Sequence, residues 1–198
     1  MEYVIRAVRA WEWESVREIR LTALRDPVAP IAFLETYEHA ASRPDEFWQR
    51  RTADAAEGRL VRQFIAEAPD GRWAGTVTVL VEGPSVKPVF GRAPAFDQTH
   101  LVGVFVRAGH RGHGVVDALF REAIEWSWSR SAPPVRRVRL HVHEANARAE
   151  ASYRRIGFVP TGRTVLIEGD PDSLELEFEV RRRNGLGRAV SGPASPRT

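Results

Sequence analysis

A glycine-rich turn between a predicted strand and a predicted helix is the first feature that points to chemistry. It reads Arg111-Gly112-His113-Gly114-Val115-Val116. The first N–H groups of a helix have no partner within the helix, and the helix dipole makes that end positive, so such a turn favours an anion. Glycine lets the backbone approach a ligand closely, and Arg111 adds a permanent positive charge suited to a phosphate. The turn therefore predicts a diphosphate-binding site.

Two other glycine-based phosphate motifs do not fit this turn. The dinucleotide fingerprint needs three glycines at fixed spacing and an acid about twenty residues further on, and the phosphate loop needs Gly-Lys followed by Ser or Thr. Neither pattern occurs around residues 109–116. A second chemistry-bearing segment lies downstream, from Asn146 to Phe158, and reads Asn-Ala-Arg-Ala-Glu-Ala-Ser-Tyr-Arg-Arg-Ile-Gly-Phe.

Together the two segments resemble the coenzyme-binding motifs of the GNAT superfamily of N-acetyltransferases. The first resembles Arg/Gln-x-x-Gly-x-Gly/Ala, with Val116 in place of the last small residue. The second resembles Asn-x-x-Ala-x-x-Leu-Tyr-x-x-x-Gly-Phe, with Ser152 in place of the leucine. The resemblance implies an enzyme, an acyltransferase that passes an acetyl group from its cosubstrate acetyl-CoA to a primary amine by direct attack. It also implies the GNAT fold, an α/β (α+β) domain whose central mixed, mostly antiparallel sheet of about seven strands is flanked by about four helices.

The resemblance gives each matched position a role. Backbone groups of the strand before the turn pair with pantetheine as a missing strand would, and they belong to Val104, Phe105 and Val106. The pyrophosphate is expected on the backbone N–H groups of Arg111, Gly112, His113, Gly114, Val115 and Val116. Asn146 is expected to contact the pantetheine arm, a role compatible with a helix N-cap. Tyr153 is expected to protonate the departing thiolate; the alternative is a core aromatic that closes the helix against the sheet.

Direct attack also needs a base, because an ammonium has no lone pair for the thioester carbonyl. His100, at the start of the coenzyme strand, lies where some members of the family carry a basic residue, and an unperturbed imidazole titrates near neutral pH. The alternative is a solvated histidine at a strand edge. Further candidates, chosen by position alone, are Glu35, Glu38, Glu82, Asp97 and Glu144.

Two histidines on one predicted strand raise the question of a metal site. His141 and His143 alternate and so share a face of the strand. No third ligand follows at a matching spacing. We therefore interpret both as strand residues and expect no metal.

The elements that must position these residues follow from hydrophobic periodicity and turn residues. Strands are predicted at 3–8, 60–66, 73–81, 101–106, 135–142, 159–167 and 173–180. Helices are predicted at 11–24, from a start within 42–46 to about Glu57, from Val115 to about Trp126, and at 146–156. A loop at 83–97 precedes the coenzyme strand. The resulting order, βααββ-β-αβαββ, predicts one domain over residues 1–180.

Composition narrows the classes of function. The absence of cysteine excludes a disulfide, a thiolate metal site and a cysteine nucleophile. No leader-like start and no long apolar run occur, so we expect a cytoplasmic protein with no membrane partner. Five of the 29 basic residues lie in 181–198, which leaves 24 against 26 acidic residues elsewhere. We therefore expect no nucleic-acid partner, and we interpret 181–198 as a basic, flexible tail that is solvated or steadies a homodimer.

The acceptor is expected to be selected by residues 25–48 and 83–100. These stretches combine acids with aromatic residues, namely Phe33, Tyr37, Phe47, Trp48, Phe90 and Phe96. That mixture suits a cationic amine on a polyamine, an antibiotic or a peptide. The alternative is that the aromatics are core and the acids solvated. Two rival functions remain open. One is a non-catalytic acyl-CoA sensor of the same fold, and the other is an enzyme that transfers a longer acyl group or acylates a hydroxyl.

Overall fold

The computed structural model describes residues 2–85, 88, 90–132, 134–167 and 170–182. The statements on structure that follow concern these residues. The tail predicted at 181–198 lies outside them from residue 183 onward.

One seven-stranded sheet forms the frame of the described residues. Its strands are β1 (Val4–Ala7), β2 (Val61–Glu67), β3 (Trp73–Glu82), β4 (Gln98–Val106), β5 (Arg137–His143), β6 (Val159–Ile167) and β7 (Asp170–Arg181). They lie side by side in the order β1-β2-β3-β4-β5-β7-β6. β4 and β5 are parallel, and the other neighbouring strands are antiparallel. The predicted mixed, mostly antiparallel sheet of seven strands is confirmed.

Five α-helices accompany the sheet in the described part of the chain. They are α1 (Trp13–Leu24), α2 (Tyr37–Ala41), α3 (Asp45–Glu57), α4 (Val115–Ser129) and α5 (Ala147–Ile156). The predicted order of elements lacks α2, since a helix of five residues is too short to show helical periodicity. A local cap begins it: Thr36 Oγ1 accepts a hydrogen bond from the His39 N–H at 3.2 Å.

The helices bury two separate apolar clusters on opposite faces of the sheet. On one face α4 and α5 pack over the centre of the sheet, where Leu119 and Phe120 contact a cluster that includes Leu140 and Phe178. Val115, Leu119 and Ala123 are four residues apart, so they form one stripe along α4, and all are buried. On the other face α1 to α3 cover β2 and β3, with the indole of Trp48 buried among them.

A polar ladder covers the face of β5 and β7 that turns away from α4 and α5. Apolar residues of β5 such as Val138 and Leu140 belong to the cluster beneath those helices, so the residues between them point the other way. These are Arg137, Arg139, His141 and His143. Across the register, Glu179, Glu177 and Glu175 lie opposite the last three of them. The sheet thus buries opposite charges side by side.

Candidate active site

The two parallel strands at the centre of the sheet separate after a short paired stretch. Residues Thr99 to Leu101 of β4 pair with Val138 to Leu140 of β5, and in the described structure β4 has no partner in β5 beyond Leu101. On its other side β4 stays paired with β3 as far as Val106. A cleft therefore opens between β4 and β5, and one edge of β4 from residue 102 to 106 faces it.

A β-bulge marks the point of separation. The register between β3 and β4 shifts between Thr76, opposite Phe105, and Thr78, opposite Val102. Gly103 lies in the bulge with φ of 62°. A side chain in this left-handed conformation costs about 1–2 kcal/mol, so the position favours glycine. Because a bulge bends and twists its strand, it turns β4 where β4 leaves β5.

A cavity of about 720 Å³ fills the cleft, a volume within the usual range for a small-molecule site. Its walls come from β4, β5, β7, α5, the first turn of α4 and the segment 26–33. The predicted site residues on these walls are Val104, Phe105, Val106, Arg111, Gly112, Gly114, Val115, Val116, Asn146 and Tyr153. The structure thus brings ten of the predicted residues together. His100 and His113 do not line the cavity.

The glycine turn leaves open space in front of helix α4. Gly114 precedes the helix with φ of 76°. A Cβ atom added at Gly109, Gly112 or Gly114 would meet no described atom within 4 Å. The first N–H groups of the helix therefore face a region where a ligand can approach. His113 is exposed, with its Nδ1 3.0 Å from the carbonyl oxygen of Arg111.

The guanidinium of Arg111 joins the turn to two other walls of the cavity. Its Nε donates a hydrogen bond of 2.9 Å to the carbonyl oxygen of Val106. Its Nη2 forms an ion pair with the carboxylate of Asp26, which also lines the cavity. The positive charge predicted at this position is therefore present, and a phosphate placed there would compete with Asp26 for it.

Tyr153 lies on α5 with its ring packed into the core and one side on the cavity. The ring stacks on Phe120, with centroids 5.4 Å apart and an interplanar angle of 25°. Burial raises the pKa of Tyr153, and the nearby charge of Glu175 raises it further. The hydroxyl therefore keeps its proton and can act as a donor. Asn146 caps α5, since its Oδ1 accepts from the Ala149 N–H at 3.2 Å, which confirms the N-cap interpretation.

His100 is buried, with 2% of its surface exposed, so the alternative of a solvated edge histidine was wrong. Its Nδ1 lies 3.0 Å from Glu82 Oε1 and its Nε2 lies 3.1 Å from His141 Nδ1. Burial lowers the pKa of His100 although Glu82 opposes this shift, so the ring is neutral. A carboxylate only accepts, hence His100 donates from Nδ1 and accepts from His141 Nδ1–H. Its role as the base remains a prediction.

The same assignment leaves Nε2 of His141 with a lone pair. His141 lines the cavity, and its Nε2 has no hydrogen-bond partner in the described structure, with Glu177 Oε2 at 3.8 Å. Burial, followed by the influence of His100 and Arg139, lowers the pKa of His141 to about 3. His141 is therefore a neutral acceptor of hydrogen bonds at the cavity wall.

Arg139 holds this part of the polar ladder in place. Its guanidinium is 1% exposed and donates to Glu82 Oε2 at 2.9 Å and to Glu177 Oε2 at 3.1 Å. Its Nη2 also donates to the carbonyl oxygen of Phe90 at 3.1 Å, which ties the loop before β4 to the sheet. Burying this charge is tolerable because each of its partners accepts a hydrogen bond. Glu82, one of the base candidates, is thus a structural anion whose pKa is lowered, against the effect of burial, by its bond from His100 and by Arg139.

Sequence reasoning missed the acids of the cavity wall, and Glu175 is the one among them without an ion pair to a described residue. It lies on β7 opposite His143, is half-buried and lines the cavity. It has no hydrogen bond or ion pair with any described residue, and burial raises its pKa to about 7. The signal was present in the alternation of glutamates with apolar residues from 174 to 180, opposite the alternation of basic residues on β5.

Among the residues predicted to select the acceptor, some line the cavity, as acceptor selection requires, and others belong to the core. Phe33 lines the cavity beneath the guanidinium of Arg20, as the functional interpretation requires. Trp48 is 1% exposed and belongs to the core, as the alternative requires. Glu35 is paired with Arg20 at 2.9 Å and is not free for a substrate.

His141 and His143 both lie within β5, as interpreted from the sequence. His143 Nδ1 accepts from the Ala145 N–H at 3.1 Å, and His141 is bound to His100. Over the described ranges, no group of three or more His, Cys, Asp or Glu side chains is arranged to hold a metal ion. None of the helices seen there has the length and apolar composition needed to cross a membrane.

Comparison with known proteins agrees with this geometry. Residues 10–158 match the Acetyltransferase (GNAT) family. A GNAT-family acetyltransferase of Streptococcus pneumoniae has a similar structure, with a TM-score of 0.69 and 19% identity over 91% of this chain and 100% of the other. NAA60 of Arabidopsis thaliana in complex with acetyl-CoA has a TM-score of 0.63 and 21% identity, over 91% of this chain and 98% of the other. A mutant of spermidine N-acetyltransferase SpeG from Vibrio cholerae has a TM-score of 0.61 and 16% identity, over 90% of this chain and 94% of the other. At these identities the structures are evidence for the fold alone, and no curated protein matches the chain in sequence.

Proposed function

Since this chain belongs to the GNAT family of acetyltransferases, we propose that it transfers the acetyl group of acetyl-CoA to a primary amine of a small molecule or peptide by direct attack on the thioester. The observation that carries the proposal is the cleft between β4 and β5, with the open glycine turn at one end and Tyr153 on its wall.

The walls of the cleft fit the parts of acetyl-CoA. The free edge of β4 from residue 102 to 106 offers backbone donors and acceptors to the amide groups of pantetheine, as a strand would. The N-terminus of α4 offers N–H groups and a positive dipole end to the pyrophosphate, and Arg111 adds a cation. Similarity to NAA60, solved with acetyl-CoA, supports this choice of cosubstrate.

Tyr153 is the acid of the proposed reaction. When the amine nitrogen bonds to the thioester carbon, the bond from carbon to sulfur breaks and a thiolate departs. The buried phenol holds its proton, because burial raises its pKa, and it donates that proton to the sulfur. The nitrogen loses two protons overall: a base removes one before attack, and the other replaces the proton that Tyr153 gave up.

For the acceptor we propose a cationic amine that enters beside Phe33 and the acidic face of β7. An aromatic ring and a nearby carboxylate both attract an ammonium group. Phe33 and Glu175 line the same cavity. The spermidine named for SpeG is an amine of this kind, and a polyamine, an antibiotic amine and a peptide N-terminus remain the classes to compare.

Calorimetric titration of acetyl-CoA into the purified protein tests the proposal, followed by a thiol-release assay over a panel of these amines. Binding with thiol release on an amine is the expected result. Binding without release on any amine would favour the acyl-CoA sensor, and release from longer acyl-CoA thioesters alone would favour transfer of a longer acyl group. Absence of binding would contradict the proposal.

A further inference from the structure

The proposed reaction needs a base, and one acid on the cavity wall forms no hydrogen bond or ion pair with any described residue. We infer that Glu175 is the general base, whose carboxylate accepts the proton of the acceptor ammonium before the nitrogen attacks the thioester. This inference rests on the proposed function.

The position of Glu175 meets the geometric requirement for a base. It lines the same cavity as Tyr153, the proposed acid. The two are close enough for the charge of Glu175 to raise the pKa of Tyr153. The acid and the base therefore lie on two walls of one cavity, α5 and β7. An amine bound between them can lose a proton to Glu175, and the leaving sulfur can receive a proton from Tyr153.

The other acids of the cavity are already used. Asp26 is paired with Arg111, and Asp117 is paired with Arg155 at 3.0 Å. Both lie beside the glycine turn, at the end of the cavity assigned to the diphosphate. Glu175 makes no hydrogen bond or ion pair with a described residue, so its carboxylate oxygens are available to a substrate.

The acids suggested by sequence position are less suited. Both carboxylate oxygens of Glu82 are bound, Oε1 to His100 and Oε2 to Gln98 and Arg139. Glu144 is exposed and accepts a hydrogen bond from the Leu174 N–H at 3.0 Å. Neither of these two acids lines the cavity.

The two β5 histidines of the cavity wall are less suited to act as the base. His143 accepts at Nδ1 from the Ala145 N–H, so in the neutral ring Nε2 carries a hydrogen and donates. His141 has a free lone pair, but burial and its neighbours lower its pKa to about 3. It can accept a hydrogen bond from the amine and orient it, whereas holding the proton would place a buried cation beside Arg139.

The groups around Glu175 determine its behaviour with pH. His143 of β5 lies opposite Glu175, and Glu177 is the next acid on the same face of its own strand. His141 and Tyr153 line the same cavity, and Arg163 of β6 lies within 3.9 Å of Glu177. Burial raises the pKa of Glu175 to about 7. Such a group is part carboxylate at neutral pH and is a stronger base than an ordinary carboxylate, which is the property a general base needs.

The test compares Glu175→Gln with wild type in the pH dependence of kcat/KM for the best amine. Wild type is expected to lose activity below about pH 7 as the base is protonated. The variant should bind acetyl-CoA normally in calorimetry and lose about 10²–10⁴-fold in kcat/KM. Its remaining activity should rise tenfold per pH unit toward the pKa of the amine, because only amine that is already free can react.

Matched variants make the outcome specific. Asp172→Asn removes an exposed acid of the same strand that does not line the cavity, and it should behave as wild type. Wild-type kcat/KM and an unchanged pH profile in Glu175→Gln would overturn the inference. It would also be overturned if the loss of activity below about pH 7 disappeared in His141→Gln but remained in Glu175→Gln. Failure of wild type itself to release thiol on any amine would instead overturn the proposed function, and the inference with it.

Discussion

His100 Nε2 and His141 Nδ1 lie 3.1 Å apart, with their rings inclined at 67°, across the junction where β4 leaves β5. Backbone pairing between the strands ends one residue further along, at Leu101. The hydrogen bond between the two imidazoles thus links the side chains of β4 and β5 at the closed end of the cleft, on the polar face of the sheet. At least one of the two rings must stay neutral for this hydrogen bond to form, because two imidazolium groups have no acceptor to share.

We predict that the burial of neutral His141 makes the fold sensitive to acid between about pH 6.5 and 3. Burial lowers the pKa of His141 from 6.5 to about 3, so in this window the unfolded chain binds a proton that the folded chain does not. Stability contributed by neutral His141 is present above pH 6.5 and is lost as the pH falls, by at most about 1.4 kcal/mol per pH unit. His141→Gln should remove this slope. Urea unfolding at several pH values measures it.

Two features of that experiment isolate His141. The opposite contribution of Glu175, whose pKa is raised to about 7, is present in both proteins and cancels in the difference. His113→Gln, which changes an exposed ring, should follow wild type. A difference in unfolding free energy between wild type and His141→Gln that does not vary with pH would refute the prediction.

Arg111→Ala should weaken binding of acetyl-CoA through its diphosphate. A hydrogen bond to a charged group contributes about 1.5–3 kcal/mol, so Kd should rise by roughly ten- to hundredfold. Acetylpantetheine lacks the diphosphate, and its Kd should be unchanged, which separates the phosphate contact from the structural bonds of Arg111 to Val106 and Asp26. Arg121→Ala, an exposed arginine of α4, is the control. Equal weakening of both ligands would mean that Arg111 acts on the shape of the cavity.

Tyr153→Phe should lower kcat by about 10²–10⁴-fold, the usual contribution of a general acid, and leave the Kd of acetyl-CoA unchanged. The phenyl ring preserves the stack on Phe120, so the cavity keeps its shape. The loss should shrink with an acetyl thioester whose thiol is more acidic, because that leaving group needs less protonation. Undiminished turnover of acetyl-CoA would dismiss the acid role.

Gly103→Ala should destabilise the fold by about 1–2 kcal/mol, since alanine is strained at φ of 62°. Gly109→Ala is the matched control: its φ lies outside the left-handed region and an added Cβ meets no described atom within 4 Å. The control should be neutral or slightly stabilising, because it removes freedom from the unfolded chain. Chemical denaturation of both variants compares the two costs, and equal costs would mean that the bulge does not need a glycine.

The positions of most strands and helices were predictable from apolar periodicity. Strand β6 was predicted at 159–167 and lies there, and α3 begins at Asp45, within the start predicted at 42–46. The first three residues of β4 were missed because Gln98, Thr99 and His100 are polar, yet all are 2% exposed or less. A strand whose buried face is polar does not show the apolar pattern on which the prediction depends.

The site was predictable where it depends on local chain geometry and not where it depends on register. The strand, the glycine turn and the start of α4 are contiguous, so their motif placed a large part of the cavity wall. Glu175 reaches that wall through pairing of β7 with β5, and Asp26 meets Arg111 from 85 residues away. Neither proximity is encoded by spacing along the chain.

The free edge of β4 has a thermodynamic consequence. It lies in the middle of the sheet, where most folds satisfy every backbone group within the chain. A ligand that occupies the cleft binds the folded chain only, and therefore raises the free energy of unfolding by about 2.7 kcal/mol at a concentration of one hundred times its Kd. Acetyl-CoA and free CoA would both have this effect, so the melting temperature of the protein would record the total coenzyme concentration around it, independently of turnover.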